Sequence, residues 1–256
     1  MSRIVVKVGS NVLTRKDGSP DITNMSSLVD QIVSLREHGH EVVLVSSGAV
    51  ACGRSSVKPL TKLDDVQERQ LFSAVGQIKL INLYSQFFNS YGITAGQVLT
   101  QKDNFLSETS YQNQRNCMLT MIENKVVPIV NENDTVSLTE LMFTDNDELS
   151  GLIARMIDAD TLIILTNVDG MYTGDPADPA SRLLERITPN ENPEKYIIET
   201  KSGFGRGGMA SKCHTATKLA HEGIKVILAN GERQNVILNV IEHPEKVPHT
   251  VFEPKI

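Results

Sequence analysis

Cysteine is scarce in this 256-residue chain: Cys52, Cys117 and Cys213 are odd in number, widely separated, and form no Cys-x-x-Cys pair. That excludes a disulfide framework and a thiolate zinc or redox site, and it suits the reduced thiols of a cytoplasmic protein. No apolar run approaches the roughly 18 residues of a membrane span. The stretch Ile4-Val5-Val6 after Met1-Ser2-Arg3 is too short for a signal peptide. There is no long basic block and the net charge is -6, which disfavours nucleic acid as a main partner. Histidine offers neither a triad nor metal spacing: His38, His40, His243 and His249 fall in loops or near the C-terminus, and His214 and His221 lie on an expected helix. No internal repeat, coiled coil or low-complexity tract occurs. What remains is 40% hydrophobic and 22% charged, the make-up of an ordinary folded chain, long enough for one large α/β domain or two small ones.

Short β-branched runs recur at Ile4 to Val8, Val42 to Val45, Val126 to Val130, Leu162 to Leu165 and Val226 to Leu228, as expected of buried, mostly parallel strands. Between the first two, Met25, Leu28, Val29, Ile32, Val33 and Leu35 repeat at helical spacing, with Gly39 as the expected stop. Further helices are expected over about 65–91, 109–125, 148–157 and 209–222. The pattern predicts a doubly wound sheet with helices on both faces, a three-layer α/β/α sandwich with an open, mainly parallel centre. Composition breaks at Gly174-Asp175-Pro176, and the Pro-, Gly- and Asn-rich segment from there to Gly208 is expected to be a surface excursion and a candidate lid.

In such a sheet ligands gather where strands end and helices begin, because helix N-termini expose free N–H groups. Strand one ends Lys7-Val8-Gly9-Ser10-Asn11, a lysine in an apolar strand followed by a glycine that lets a ligand approach the backbone. Strand two ends Ser46-Ser47-Gly48, small residues suited to an anion. The third leads into Asn131-Glu132-Asn133-Asp134, and a second polar cluster, Asp145-Asn146-Asp147-Glu148, opens a helix. Acids at a helix start are often only caps. Yet Val126 to Phe143 contains Glu132, Asp134 and Glu140 but no lysine, arginine or histidine, so a site there suits an ammonium group better than a phosphate. Finally, Gly203-Phe204-Gly205-Arg206-Gly207-Gly208-Met209-Ala210-Ser211-Lys212 is a glycine-rich loop running into a helix with a lysine near its start, which favours phosphate. It is not a Walker A loop, since Gly-Lys-Ser/Thr is absent, and its Gly-x-Gly-x-x-Gly does not follow a strand, which disfavours a dinucleotide fold.

These clusters, in this order, resemble the amino acid kinase family over essentially the whole chain. The most specific pieces are Val6-Lys7-Val8-Gly9-Ser10, Val45-Ser46-Ser47-Gly48-Ala49, Val130-Asn131-Glu132-Asn133-Asp134, Asp145-Asn146-Asp147 and Gly207-Gly208-Met209-Ala210-Ser211-Lys212. The likeness is strongest to members that phosphorylate free glutamate at the start of proline synthesis. It implies transfer of the ATP γ-phosphoryl group to the γ-carboxylate of L-glutamate, giving L-glutamyl 5-phosphate, with Mg2+. It further implies that Lys7 and Lys212 contact ATP phosphates with Asp147 as their organiser, and that Ser47, Asp134 and Asn146 bind glutamate with Asp145 assisting. Gly9, Thr166-Asn167 and the stretch from Arg206 through Gly207, Gly208, Met209, Ala210 and Ser211 to Lys212 would hold the nucleotide. An acceptor half to about residue 168, a nucleotide half after it, feedback inhibition by proline and a homo-oligomer, dimer or tetramer, are implied as well. Three residues depart from the family pattern: Asn167 where aspartate is common, Arg206 where a small residue is frequent, and Asn11 where serine or threonine is usual. The chain ends at Ile256, which leaves no room for the C-terminal PUA domain of many bacterial members.

Competing acceptors are weighed by charge. A uridylate kinase needs basic residues for a nucleotide phosphate in the acceptor segment. An acetylglutamate kinase presents an uncharged amide to Asp134, leaving it without its partner. An aspartate kinase stays chemically open. A non-catalytic amino-acid sensor would be expected to lose Lys7, Lys212 or Asp147, and all three are present.

Overall fold

The computed structural model describes residues 1–136, 143, 145–197 and 208–256. Its strands are β1 (Arg3–Val8), β2 (Glu41–Ser46), β3 (Ala95–Thr100), β4 (Val127–Glu132), β5 (Thr161–Thr166), β6 (Arg186–Ile187), β7 (Lys225–Asn230) and β8 (His249–Phe252). They form one sheet in the order β3-β4-β2-β1-β5-β7-β8-β6. The run from β3 to β7 is parallel throughout, β8 is antiparallel to β7, and β6 is parallel to β8. The helices are α1 (Ser10–Leu13), α2 (Ile22–Glu37), α3 (Ala49–Arg54), α4 (Asp65–Asn89), α5 (Asp103–Leu106), α6 (Glu108–Glu123), α7 (Asn146–Met156), α8 (Met209–His221) and α9 (Val236–Glu242).

Side chains alternate across a strand, so β1 feeds two cores. Ile4, Val6 and Val8 pack with Met25, Leu28 and Ile32 of α2, Leu80 and Tyr84 of α4, and Val236 and Ile237 of α9. Val5 faces the other way, with Leu149 and Ile153 of α7 and Ala216 and Leu219 of α8. The three-layer sandwich is therefore as expected. The same alternation sends Lys7, two residues after Val5, to the α7/α8 side.

The chain leaves β2, crosses to edge strand β3, returns as β4 beside β2, and then passes to the other flank of β1 as β5. The reversal of direction opens a crevice above the carboxyl ends of β1, β2, β4 and β5, where parallel sheets bind ligands.

One expectation needs correction. Within the described part of the 174–208 segment, β6 joins the sheet beside β8, Ile187 is buried, and Tyr196 packs on the α7/α8 core. Residues 186–187 and 196 thus belong to an edge of the fold, while 175–180 are exposed, as expected of a surface excursion. Strands β3 and β8 also went unanticipated; both flank the parallel centre, and β3 alternates buried and exposed residues instead of showing an apolar run.

Candidate active site

The ends of β1, β2, β4 and β5 converge on a cavity of about 850 Å3. Lys7, Gly9, Ser47, Asp134, Asp145, Asn146, Thr166, Asn167 and Lys212 all line it, so most of the expected site residues come together from across the chain. Arg206 and Gly207 lie outside the described residues. Met209 packs against the core, Ala210 is exposed, and Gly208 and Ser211 are half-buried at the start of α8.

At the floor, Asp147 is fully buried between two lysines. Lys7 Nζ stands 2.5 Å from Asp147 Oδ1, an ion pair set by distance rather than hydrogen-bond alignment, and Lys212 Nζ donates to Oδ2 at 2.9 Å. Both lysines are nearly buried. Burial pulls the Lys7 ammonium below its ordinary value and the Lys212 charge adds to that, while Asp147 opposes both. For Asp147, burial pushes the carboxyl up, but the two ammonium groups more than reverse this and hold it below the usual range. The result is two cations aimed into the cavity with one counter-charge beneath them.

The local sequence explains this placement. Asp145 is the N-cap of α7: its Oδ1 accepts from the backbone N–H of Asp147 at 2.8 Å and of Glu148 at 3.0 Å. The other oxygen, Oδ2, is buried without a hydrogen-bond partner. Capping by Asp145 starts the helix so that Asp147 turns inward. One turn further, a Cβ on Gly151 would lie 2.8 Å from Thr215 Cγ2 of α8, so a glycine is what lets α7 and α8 approach closely enough for Asp147 to reach Lys212. Gly151→Val is therefore expected to lose about 1–3 kcal/mol of stability from overpacking and to lower kcat with little change in the KM for the acceptor. Denaturant unfolding and steady-state kinetics check both.

Toward the acceptor end, Asn146 Nδ2 donates to Ser47 Oγ at 2.7 Å and to Asn131 Oδ1 at 3.2 Å, joining the β2 and β4 ends to α7. Beside them lies a feature that sequence reasoning missed. Arg69, from α4, donates through Nε to Asp134 Oδ1 at 2.6 Å and through Nη2 to Glu132 Oε2 at 2.6 Å, with a further Nη2 contact to Asp134. The segment that lacks basic residues in sequence acquires one in space. Burial raises both acids above their ordinary range; the charge of Asp134 adds to this at Glu132, and Arg69 opposes it at both. Two carboxylates and one guanidinium leave this end with one net negative charge. The capping box of Asp64 with Gln67 fixes the start of α4 and is readable as a motif, but a reach across more than sixty residues is not.

Such a cavity, cationic at a buried floor and acidic at one end, can align an anionic phosphoryl donor with a small zwitterionic acceptor. The chain belongs to the amino acid kinase family, whose pattern matches residues 2–230. Within the family it is similar to glutamate 5-kinases. That of Bacteroides thetaiotaomicron is 58% identical over 253 residues, covering 99% of this chain and 70% of that protein. That of Chlorobaculum tepidum is 49% identical over 245 residues, covering 95% and 67%. Among solved structures, the carbamate kinase of Giardia lamblia bound to AMP-PNP superposes with a TM-score of 0.69 over 99% of both chains at 19% identity, a likeness of fold.

Proposed function

We propose that this protein transfers the γ-phosphoryl group of ATP to the γ-carboxylate of L-glutamate, giving L-glutamyl 5-phosphate and ADP, the first step of proline synthesis from glutamate. The observation that carries the reading is Asp147, buried between Lys7 and Lys212 beneath a cavity whose other end holds Ser47, Asn146 and Asp134.

A glutamate side chain has a reference pKa of about 4.3, so at neutral pH its carboxylate is already the nucleophile and needs no general base. A γ-carboxylate oxygen forms the new bond to phosphorus as the bond to the β-phosphate oxygen breaks, and ADP departs with the electron pair. The protein's work is alignment and neutralisation of the charge spread over the transferring group. Lys7 and Lys212 supply that charge, and Asp147 holds both ammonium groups in place. Gly9, Thr166, Asn167 and the start of α8, with Arg206 through Ser211, hold the nucleotide. Ser47, Asn146 and Asp134 hold the acceptor, and Asp145 sets the geometry of α7.

Magnesium belongs to the same reading. A magnesium ion that accompanies ATP would take most of its ligands from phosphates and water. Asp145 Oδ2, buried on the cavity wall without a partner, is the carboxylate oxygen that would receive it. When bound, the ion neutralises phosphate charge. The acceptor half runs to about residue 168 and the nucleotide half follows. Proline, which shares glutamate's α-nitrogen and α-carboxylate, inhibits at the acceptor end. A homo-oligomer, dimer or tetramer, belongs to the same reading. No described helix is long and apolar enough to cross a membrane; a cytoplasmic location is part of the proposed reading.

ADP release that requires glutamate, and that fails with N-acetylglutamate, tests the assignment; equal release with both would sink it. Asp134→Ala is expected to raise the glutamate KM by about tenfold or more with a smaller change in kcat, since this pair with the substrate ammonium persists from ground state to transition state. An unchanged KM would remove Asp134 from the acceptor site.

A further inference from the structure

We propose that Arg69 is the receptor for the acceptor's α-carboxylate, so that Arg69 and Asp134 together read the two opposite charges of a free amino acid. The inference rests on the glutamate kinase reading and names a residue that this reading lacks.

Asp134 alone is a poor amino-acid receptor. It attracts the α-ammonium but repels the α-carboxylate attached to the same carbon, and by Coulomb's law at similar distances the two nearly cancel. A cation beside Asp134 restores the balance with a full opposite charge, which the small residues of the Ser47 turn do not carry. The described cavity wall offers Lys7, Arg15, Lys16, Arg54, Arg69 and Lys212. Lys7 and Lys212 are committed to Asp147 at the floor. Arg15 and Lys16 are exposed. Arg54 lies over the Phe72 ring and pairs with Glu68. Arg69 alone of the six touches Asp134, with Nε 2.6 Å from Oδ1. The receptor's two signs are thus in direct contact, as the ligand's are separated by one carbon.

The guanidinium is also set before the substrate arrives. Glu132 is nearly buried, accepts from the backbone N–H of Phe143 at 3.2 Å through Oε1, and holds Arg69 Nη2 through Oε2. Helix α4 itself rests on α3, which starts two residues after Ser47, since a Cβ on Gly76 would lie 1.8 Å from the Ala49 carbonyl oxygen. Arg69 and Ser47 are therefore carried by elements in backbone contact. Such preorganisation lowers the entropy lost on binding. The planar fork of arginine suits a carboxylate better than a lysine ammonium does. The net negative charge left by Glu132 and Asp134 keeps the subsite from becoming a general phosphate site.

The test compares glutamate with isoglutamine, its α-amide, which keeps the γ-carboxylate that is phosphorylated. Full-length wild type, Arg69→Gln and Arg69→Lys are assayed with ATP. Wild type is expected to prefer glutamate by about 10²-fold in kcat/KM, the loss of one hydrogen-bonded charge pair. Arg69→Gln should lower kcat/KM for both substrates, because Asp134 and Glu132 lose their counter-charge, but should lower it for glutamate by about a further 10²-fold, so that the preference collapses; Arg69→Lys should fall between. Equal losses for both substrates would mark Arg69 as a structural residue and overturn the proposal. Equal use of the two by wild type would overturn it even if no variant folded. Absence of glutamate turnover by wild type would instead strike the kinase reading itself.

Discussion

Lys212→Ala is expected to lower kcat by about 10²-fold or more, the usual cost of one preorganised contact to a developing charge, with a smaller effect on the glutamate KM. The lysine comes from α8 and reaches Asp147 at the cavity floor, whereas the Arg69 and Asp134 pair proposed for the acceptor joins α4 to the end of β4. Truncation leaves Asp147 still paired with Lys7, so no buried charge is stranded and the fold should hold. A stable variant with near-wild-type turnover would refute the role of Lys212. A loss confined to KM would reassign it to ground-state binding.

Asp147→Asn should do more damage, because it removes the shared counter-charge of two nearly buried ammonium groups. Breaking a buried pair by removing one partner typically costs about 3–5 kcal/mol, and kcat is expected to fall by about 10³-fold as Lys7 and Lys212 lose their fixed positions. The pH dependence separates this from simple misfolding. Burial already draws the Lys7 ammonium below its ordinary value, and Asp147 is the main force opposing it. Without Asp147 the ammonium loses its proton at lower pH, so the basic limb of the residual kcat profile should move toward acid. Stability shifts the opposite way in wild type. A carboxyl held below its usual range stabilises the fold above its unfolded-state value, and that contribution fades as pH falls through the lower folded-state value. The stability gap between wild type and Asp147→Asn should therefore narrow in acid. An unmoved basic limb would contradict the coupling, and ATP should recover part of the lost stability by supplying the missing negative charge.

The parallel centre of the fold was legible because strands buried on both faces are written as continuous apolar runs, as in Ile4 to Val8 and Leu162 to Leu165. Edge elements were less so: β3 exposes Leu99, β8 spans four residues, and neither forms such a run. At the site, Lys7 and the helix-opening cluster stood out as chemistry in apolar surroundings. What residue types alone left open was the division of labour within that cluster, where Asp145 caps the helix and Asp147, two positions on, is buried at the cavity floor. Arg69 was invisible for a stronger reason. Its partners lie 63 and 65 residues away, and only the folded chain brings α4 to the end of β4. An acidic segment read along the chain looked like a bare ammonium site, whereas in the fold it holds one guanidinium between two carboxylates.

The central claim is that the side-chain carboxylate of an amino acid with a free α-ammonium receives the phosphoryl group. Hydroxylamine traps acyl phosphates as hydroxamates and does not react with phosphate esters, so ATP-dependent hydroxamate formation measured side by side with glutamate, aspartate, acetylglutamate and uridylate tests it directly. Hydroxamate with glutamate, and little or none with the other three, is the expected result; none with glutamate, or as much with acetylglutamate, would contradict the account.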